Sequence, residues 1–217
     1  MKRVIPLHFS AFISALKRDW KYLLWLPAYL LIFLLLERLV TPGHYWDTQL
    51  PLDSLIPFCE VFLIPYCLWY FFLVAVGLWL FLRDSTTFRK YMWFLGLTFF
   101  LSVFFWVLVP NCQGLRPAVM PRDNFLTRGI TLLYQIDTNT NVFPSVHVVG
   151  SMGAAWAAWK SPTLRSRKVL RVLLILLAAL ICISTLFIKQ HAVLDVISGL
   201  ALGLLVGLLV FRPMLEL

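Results

Sequence analysis

Charge is scarce in this chain of 217 residues. Only 13% of its positions carry Asp, Glu, Lys or Arg, against about 25% in a soluble globular domain. Acid is scarcer than base, with 10 Asp and Glu against 19 Lys and Arg. The 4 cysteines have no metal-ligand spacing. No carboxylate cluster suggests a metal, so no cofactor is expected. Internal repeats and low-complexity stretches are lacking too, which argues against a solenoid or a linker. What fills the chain is apolar: 61% hydrophobic residues and a mean hydropathy of +0.85. That composition is an integral membrane protein's, and the length leaves little room for a separate soluble domain.

Six apolar runs stand out: Tyr22–Val40, Val61–Leu82, Tyr91–Pro110, Val142–Trp159, Val169–Ile188 and Ala192–Phe211. Each is near the roughly 20 residues that a spanning helix needs. The fourth is the weakest, being short and carrying Ser, His and Gly. Pro27 and Pro65 are expected to kink their helices. The expected fold is all-α: one membrane domain over 1–217, with an interfacial amphipathic segment at 1–21 and a six-helix bundle over 22–217. In that first segment Phe9, Phe12, Ile13, Leu16 and Trp20 alternate with Lys and Arg, as in a helix lying on a membrane surface. A signal peptide is the weaker reading, because no small-residue cleavage site follows.

Basic residues fix an orientation. With the N-terminus inside, the inner segments hold 14 of the 19 basic residues. The outer ones hold only Arg38, Arg116, Arg122, Arg128 and Lys189. The positive-inside rule then puts both termini in the cytoplasm of a multi-pass cell-membrane protein. The net charge of +9 expresses this bias and does not point to nucleic acid. The partners expected are the bilayer and a membrane lipid; nothing in the sequence speaks to an oligomeric state. Cys59 and Cys112 fall near the outer ends of two helices, and unpaired thiols are the favoured reading.

Polar chemistry concentrates at that outer face. His191 and Asp195 are four residues apart, a spacing that puts both on one face of a helix. Pro144, Ser145 and His147 open the fourth run and are expected in its first turn, with Pro144 suited to the first helical position. Lys189 ends the fifth run, and Arg116 follows the third. Ionisable groups at such positions are costly and carry function by default. The outer segments hold more acid than base, so any phosphate site has to be built locally. A helix N-terminus with a hydroxyl at Ser145 and a guanidinium at Arg116 can build one. The long loop before the fourth run carries Arg122, Asp123, Asn124, Arg128 and Asp137, for head-group selection or for solvation. Gly199, Gly203 and Gly207 repeat every four residues and favour close helix contact.

These residues resemble the type 2 phosphatidic acid phosphatase superfamily. Its signature runs Lys-x6-Arg-Pro, Pro-Ser-Gly-His, Ser-Arg-x5-His-x3-Asp. Arg116-Pro117 fit the first part, Pro144, Ser145 and His147 the second, and Ser184, His191 and Asp195 the third. The chain departs at Val109, Val146 and Thr185, which stand where the family has Lys, Gly and Arg. Two cations of the phosphate clamp are thus lost, and Lys189 is a candidate replacement for one. This looks closer to the divergent branch that includes inositol phosphorylceramide and sphingomyelin synthases.

The resemblance implies phosphoryl transfer on a membrane lipid phosphate. His191 is the expected nucleophile, Asp195 its orienting carboxylate and His147 the general acid and base. Arg116, Ser145 and Lys189 are expected to bind the phosphate. A lipid phosphatase working through a phosphohistidine is favoured. Head-group transfer to an alcohol is the alternative, and a non-enzymatic lipid or anion binder or transporter is a further one.

Overall fold

The computed structural model describes residues 9–39 and 43–212. Among the described residues eight helices carry the fold: α1 (Phe9–Asp19), α2 (Trp25–Leu39), α3 (Leu63–Arg83), α4 (Ser85–Leu108), α5 (Phe125–Ile136), α6 (Val146–Lys160), α7 (Lys168–Phe187) and α8 (Val193–Val210). The expected all-α membrane protein is what is observed. The six apolar runs coincide with α2, α3, α4, α6, α7 and α8. Among the described residues four helices, α3, α4, α7 and α8, are long and apolar enough to cross a membrane, and α1 with α2 makes a fifth if the bent pair is one span. Lys2, Arg3 and Val40 lie outside the described residues.

Neither proline kinks the interior of a helix. Proline lacks the N–H and clashes with the carbonyl four residues back. For Pro27 that carbonyl is Leu23's, where a 3-10 turn over Trp20–Leu23 ends and α2 restarts after a 42° bend. For Pro65 it is Val61's, inside the 3-10 turn Glu60–Phe62 that precedes α3. Each proline therefore sits in a first helical turn, where no N–H is needed.

The low hydropathy of the fourth run has a packing cause. α6 is the axis of the bundle, in contact with α3, α4, α7 and α8. Its buried side chains are small, including Gly150, Gly153, Ala154, Ala157 and Ala158. A Cβ on Gly153 would stand 2.5 Å from the Phe94 ring. On the facing side α8 supplies its own glycines. Added Cβ atoms would lie 2.9 Å from Val148 at Gly199, 2.7 Å from Met152 at Gly203 and 2.2 Å from Trp156 at Gly207. Helices without bulk at their contact line approach closely and gain dispersion contacts that lipid cannot supply. Large apolar side chains such as Phe71, Val74 and Leu205 face outward instead.

α1 is tied to the bundle by a buried carboxylate. Asp19 is fully buried and accepts from Arg18 Nε, Ser85 Oγ and Arg89 Nε at 2.7–2.8 Å. At the opposite end, loops are cross-braced. A two-residue parallel pairing, β1 (Trp46–Asp47) with β2 (Asn111–Cys112), joins the segment after α2 to the segment after α4. Glu37 at the end of α2 accepts from the Thr138 hydroxyl and from Asn141 Nδ2. All four cysteines are free thiols.

Candidate active site

The segment before α6 expects a helix start at Pro144, and the helix begins later. Ser145 is the N-cap, its Oγ accepting from the Val148 amide at 3.4 Å, so α6 opens at Val146. His147 then falls in the first turn and is 5% exposed. Its ring lies between Tyr66 and Trp69, with centroids 4.5 and 4.4 Å away. Two α3 aromatics thus fix the imidazole plane.

His191 and Asp195 are not on one helix face, because α8 starts only at Val193. Asp195 Oδ2 accepts from the Ala192 amide at 2.8 Å, closing the helix start. The same oxygen stands 3.4 Å from His191 Nδ1, an ion-pair distance without hydrogen-bond alignment. The other nitrogen, His191 Nε2, faces His147 Nδ1 at 3.4 Å. The Ser145 amide donates to the Asp195 carbonyl at 3.2 Å, binding the start of α6 to the start of α8. His147, His191, Asp195 and Ser145 are therefore one cluster. His147 Nε2 and Asp195 Oδ1 are buried without a partner among the described residues. Leaving such groups unpaired costs about 1–3 kcal/mol each, which a polar substrate group can recover.

Arg116 and Lys189 point elsewhere. The Arg116 guanidinium donates to the Tyr134 and Asp137 carbonyls and to Gln190 Oε1 at 2.6–3.1 Å, and it covers the Tyr134 ring at 4.3 Å. Burial holds its pKa below the usual arginine value, with Asp137 opposing. Lys189 Nζ donates to the carbonyls of Asp53 and Ile56 at 3.1 and 2.5 Å. Burial lowers its pKa too, with Asp53 opposing. Both cations hold loops through protein acceptors, while Arg116 Nε is buried without a partner among the described residues.

Several supporting residues gave no sequence signal. Asn111 Oδ1 accepts from the Val142 and Phe143 amides, both at 2.8 Å, and sets the approach to Ser145. Gln113 Nε2 donates to the Lys189 and Gln190 carbonyls and sets the approach to His191. One short loop after α4 thus positions both histidine segments. Tyr66 donates to Asp137 Oδ2 at 2.7 Å, and Gln190 Nε2 reaches the same oxygen at 3.0 Å. The long loop expected before α6 contains a helix, α5. Its signals were local: Asn124 and Thr127 form a reciprocal capping box ahead of an amphipathic dozen residues. Arg122 forks onto Glu60, in the turn before α3, at 2.6–2.7 Å, and Arg128 pairs with Asp123 within the loop. Ser184 and Thr185 are buried and donate to the carbonyls of Ile181 and Cys182 within α7.

The family model of the PAP2 superfamily matches residues 108–216, half the chain. The chain belongs to the PAP2 superfamily. No curated protein and no solved structure matches it. The PAP2 match begins at the end of α4 and takes in both histidines, Asp195, Ser145, Arg116 and Lys189. Membership supports phosphatase- or phosphotransferase-type activity on a lipid phosphate in general terms. The PAP2 match does not include α1, α2, α3 or most of α4.

Proposed function

We propose that the protein is a lipid phosphatase working through a phosphohistidine on His191. The observation that carries this reading is the orientation of His191. Asp195 lies beside Nδ1, which leaves Nε2 directed at a second imidazole, in a cavity that both histidines line. A carboxylate that closes a hydrogen bond on one ring nitrogen fixes the tautomer and makes the other nitrogen a nucleophile, and Asp195 Oδ2 stands 3.4 Å from Nδ1, within reach of that bond.

In the first step Nε2 attacks phosphorus, a P–N bond forms and the bond to the lipid oxygen breaks. His147, with its Nδ1 at the same spot, protonates the departing oxygen. In the second step His147 takes a proton from water as its oxygen attacks phosphorus. The P–N bond breaks, and His191 and free phosphate are regenerated. The histidine nitrogens are 3.4 Å apart, so the rings must part as the phosphoryl group enters. The Ser145 hydroxyl and the N-terminal end of α6 supply donors and a partial positive charge for the phosphoryl oxygens. Arg116 and Lys189 act by holding the loops that carry Gln190 and His191.

A second reading, transfer of the head group to an alcohol, draws on one observation. With both cations committed to carbonyls, the site suits a singly charged phosphodiester better than a doubly charged monoester. The deciding experiment is product analysis of purified protein with phosphomonoester and phosphodiester lipids, with and without lipid alcohols. Free phosphate from a monoester alone supports the phosphatase. Turnover of a diester only with added alcohol, the head group recovered on it, overturns it.

We further propose six spans, with both termini cytoplasmic and the histidines at the outer face of the cell membrane. Arg83, Arg89, Lys90, Lys160, Arg165 and Lys168 lie at the helix ends away from the histidines, as the positive-inside rule requires.

A further inference from the structure

A second groove, which no histidine lines, runs along α4 beside the break between α1 and α2, with a volume of about 640 Å³. α4 supplies one face of its helix, from Met92 and Trp93 through Gly96 and Phe100 to Phe104. The facing wall is Tyr22, in the 3-10 turn Trp20–Leu23, and Trp25, the first residue of α2. The 42° bend between the two helices sets this wall against α4. Gly96 leaves room beneath it: the Trp25 indole lies 3.5–3.6 Å from where a Cβ on Gly96 would stand.

Charge is confined to one end. Lys21 is the charged residue of the lining. Its Nζ lies over the Tyr22 ring at 5.4 Å, and the Arg89 guanidinium of the first turns of α4 lies over the same ring at 5.4 Å. Arg18 and Arg89 are both drawn onto Asp19, whereas Lys21 is exposed and meets no carboxylate among the described residues. From that end the groove is apolar. The twelve residue steps from Met92 to Phe104 rise about 18 Å of helix, and one leaflet of the hydrocarbon core is about 15 Å deep. A cation at head-group level above an apolar trough of one leaflet's depth has the pattern of a phospholipid. We infer that the groove binds an anionic phospholipid of the leaflet away from the histidines, its phosphate on Lys21 and one acyl chain along Gly96 and Phe100. This inference rests on the membrane placement proposed above and is independent of the reaction assigned to His191.

Three features support it. The wall is held in place without a ligand: Trp25 meets Phe99 and Phe100 edge-on at 6.0 and 6.3 Å. No acid lines the groove, and the nearby Asp19 is consumed by Arg18, Ser85 and Arg89. A zwitterionic head group would bring its own ammonium towards Lys21, whereas an anionic one leaves the attraction uncancelled. The rim is open sideways, since Leu24, Trp93 and Phe104 line it and are 56%, 46% and 55% exposed. A chain can therefore enter from the bilayer. The lining from Lys21 to Phe104 precedes the family match at 108–216, so this chain's own first half builds the site. A lipid there touches the α1–α2 break and α4 together, and binding to the folded state alone stabilises it.

The test uses the full-length protein, with dioleoyl phosphatidylglycerol and dioleoyl phosphatidylcholine, which share their chains and differ in charge. Native mass spectrometry should show wild type retaining the anionic lipid about fivefold more than the zwitterion, the scale of one basic side chain near anionic lipid. Phosphatidylglycerol should also raise the unfolding midpoint in detergent. Lys21→Gln should abolish both effects, and Lys21→Arg should keep them. Lys168→Gln removes an exposed charge at the start of α7 and should keep them too. Phosphatidylglycerol with a photoreactive group in mid-chain, in nanodiscs of uniform composition, should cross-link to Trp25 and to α4 between Trp93 and Phe104. An unchanged preference in Lys21→Gln, equal retention of phosphatidylcholine by wild type, or cross-links spread evenly over α3, α7 and α8 overturns the inference. A protein dimer whose α4 face escapes cross-linking would give the groove to a second copy and overturn it as well. Both leaflets of the nanodisc are alike, so these results do not depend on which face is cytoplasmic. Labelling from outside intact cells decides that separately, and loss of turnover in every lipid would strike the phosphatase reading while leaving the groove.

Discussion

The Tyr66 hydroxyl donates to Asp137 Oδ2 at 2.7 Å while its ring stacks 4.5 Å from His147. One α3 side chain therefore joins the loop before α6 to an imidazole of the candidate site. Tyr66→Phe keeps the stack and removes the donor, leaving Asp137 with Gln190. A loss of about 1–3 kcal/mol is expected for an under-paired carboxylate, read as a lower unfolding midpoint in detergent. Turnover should fall less than in Tyr66→Ala, which also frees the His147 ring.

His191→Ala should abolish turnover together with any acid-labile phosphoenzyme trapped on a labelled lipid phosphate. His147→Ala should slow turnover by about 10²–10⁴-fold, the usual worth of a general acid and base. It should still accumulate some intermediate from a substrate with a good leaving group. A His191→Ala protein of near-normal activity ends the phosphohistidine mechanism.

Arg116 separates a loop clamp from a phosphate ligand. Its fork spans Tyr134, Asp137 and Gln190, and Lys cannot reproduce a fork. Arg116→Lys should therefore lower thermal stability by about 1–3 kcal/mol and reduce kcat and stability together. A raised KM with unchanged stability would instead make Arg116 a direct phosphate ligand.

Gly199 carries a prediction about geometry transmitted between helices. A Cβ there would stand 3.0 Å from the Ser145 carbonyl as well as 2.9 Å from Val148 Cβ. Gly199→Ala should push the start of α6 away from α8 and carry Ser145 and His147 with it. Activity should drop by at least about tenfold, because small misplacements of reacting groups are costly. Gly43→Ala, where nothing lies within 4 Å of the added atom, serves as the control.

Orientation is checked by labelling from outside intact cells, in a protein freed of its native cysteines. Val119→Cys, in the highly exposed loop on the histidine side (83% exposed), should react with an impermeant maleimide. Ser166→Cys, at the basic end, should react only after lysis. The reverse pattern puts the histidines in the cytoplasm.

The primary sequence by itself fixed the class of molecule. Apolar runs of spanning length allow few folds besides a helix bundle, since backbone groups in lipid must pair within their own helix. Motif spacing was also enough to single out His147, His191, Asp195 and Ser145, because helix ends on one side of a bundle converge whatever the side-chain detail. Sequence alone gave no warning that Arg116 and Lys189 would be turned onto carbonyls, nor that Asn111, Gln113 and Tyr66 would brace the histidines. A side chain's charge is written in the sequence. Which acceptor it meets depends on segments more than seventy residues apart, as with Gln113 and Lys189, and only tertiary packing brings those together. The same holds for the start of α8. Local spacing allows His191 and Asp195 one helical face, but the Asp195 side chain caps the Ala192 amide instead, and the helix opens after His191. The groove along α4 belongs wholly to this second kind of information. Its lining residues look in sequence like ordinary lipid-facing or core side chains, and only the bend between α1 and α2, set against α4, leaves a space among them.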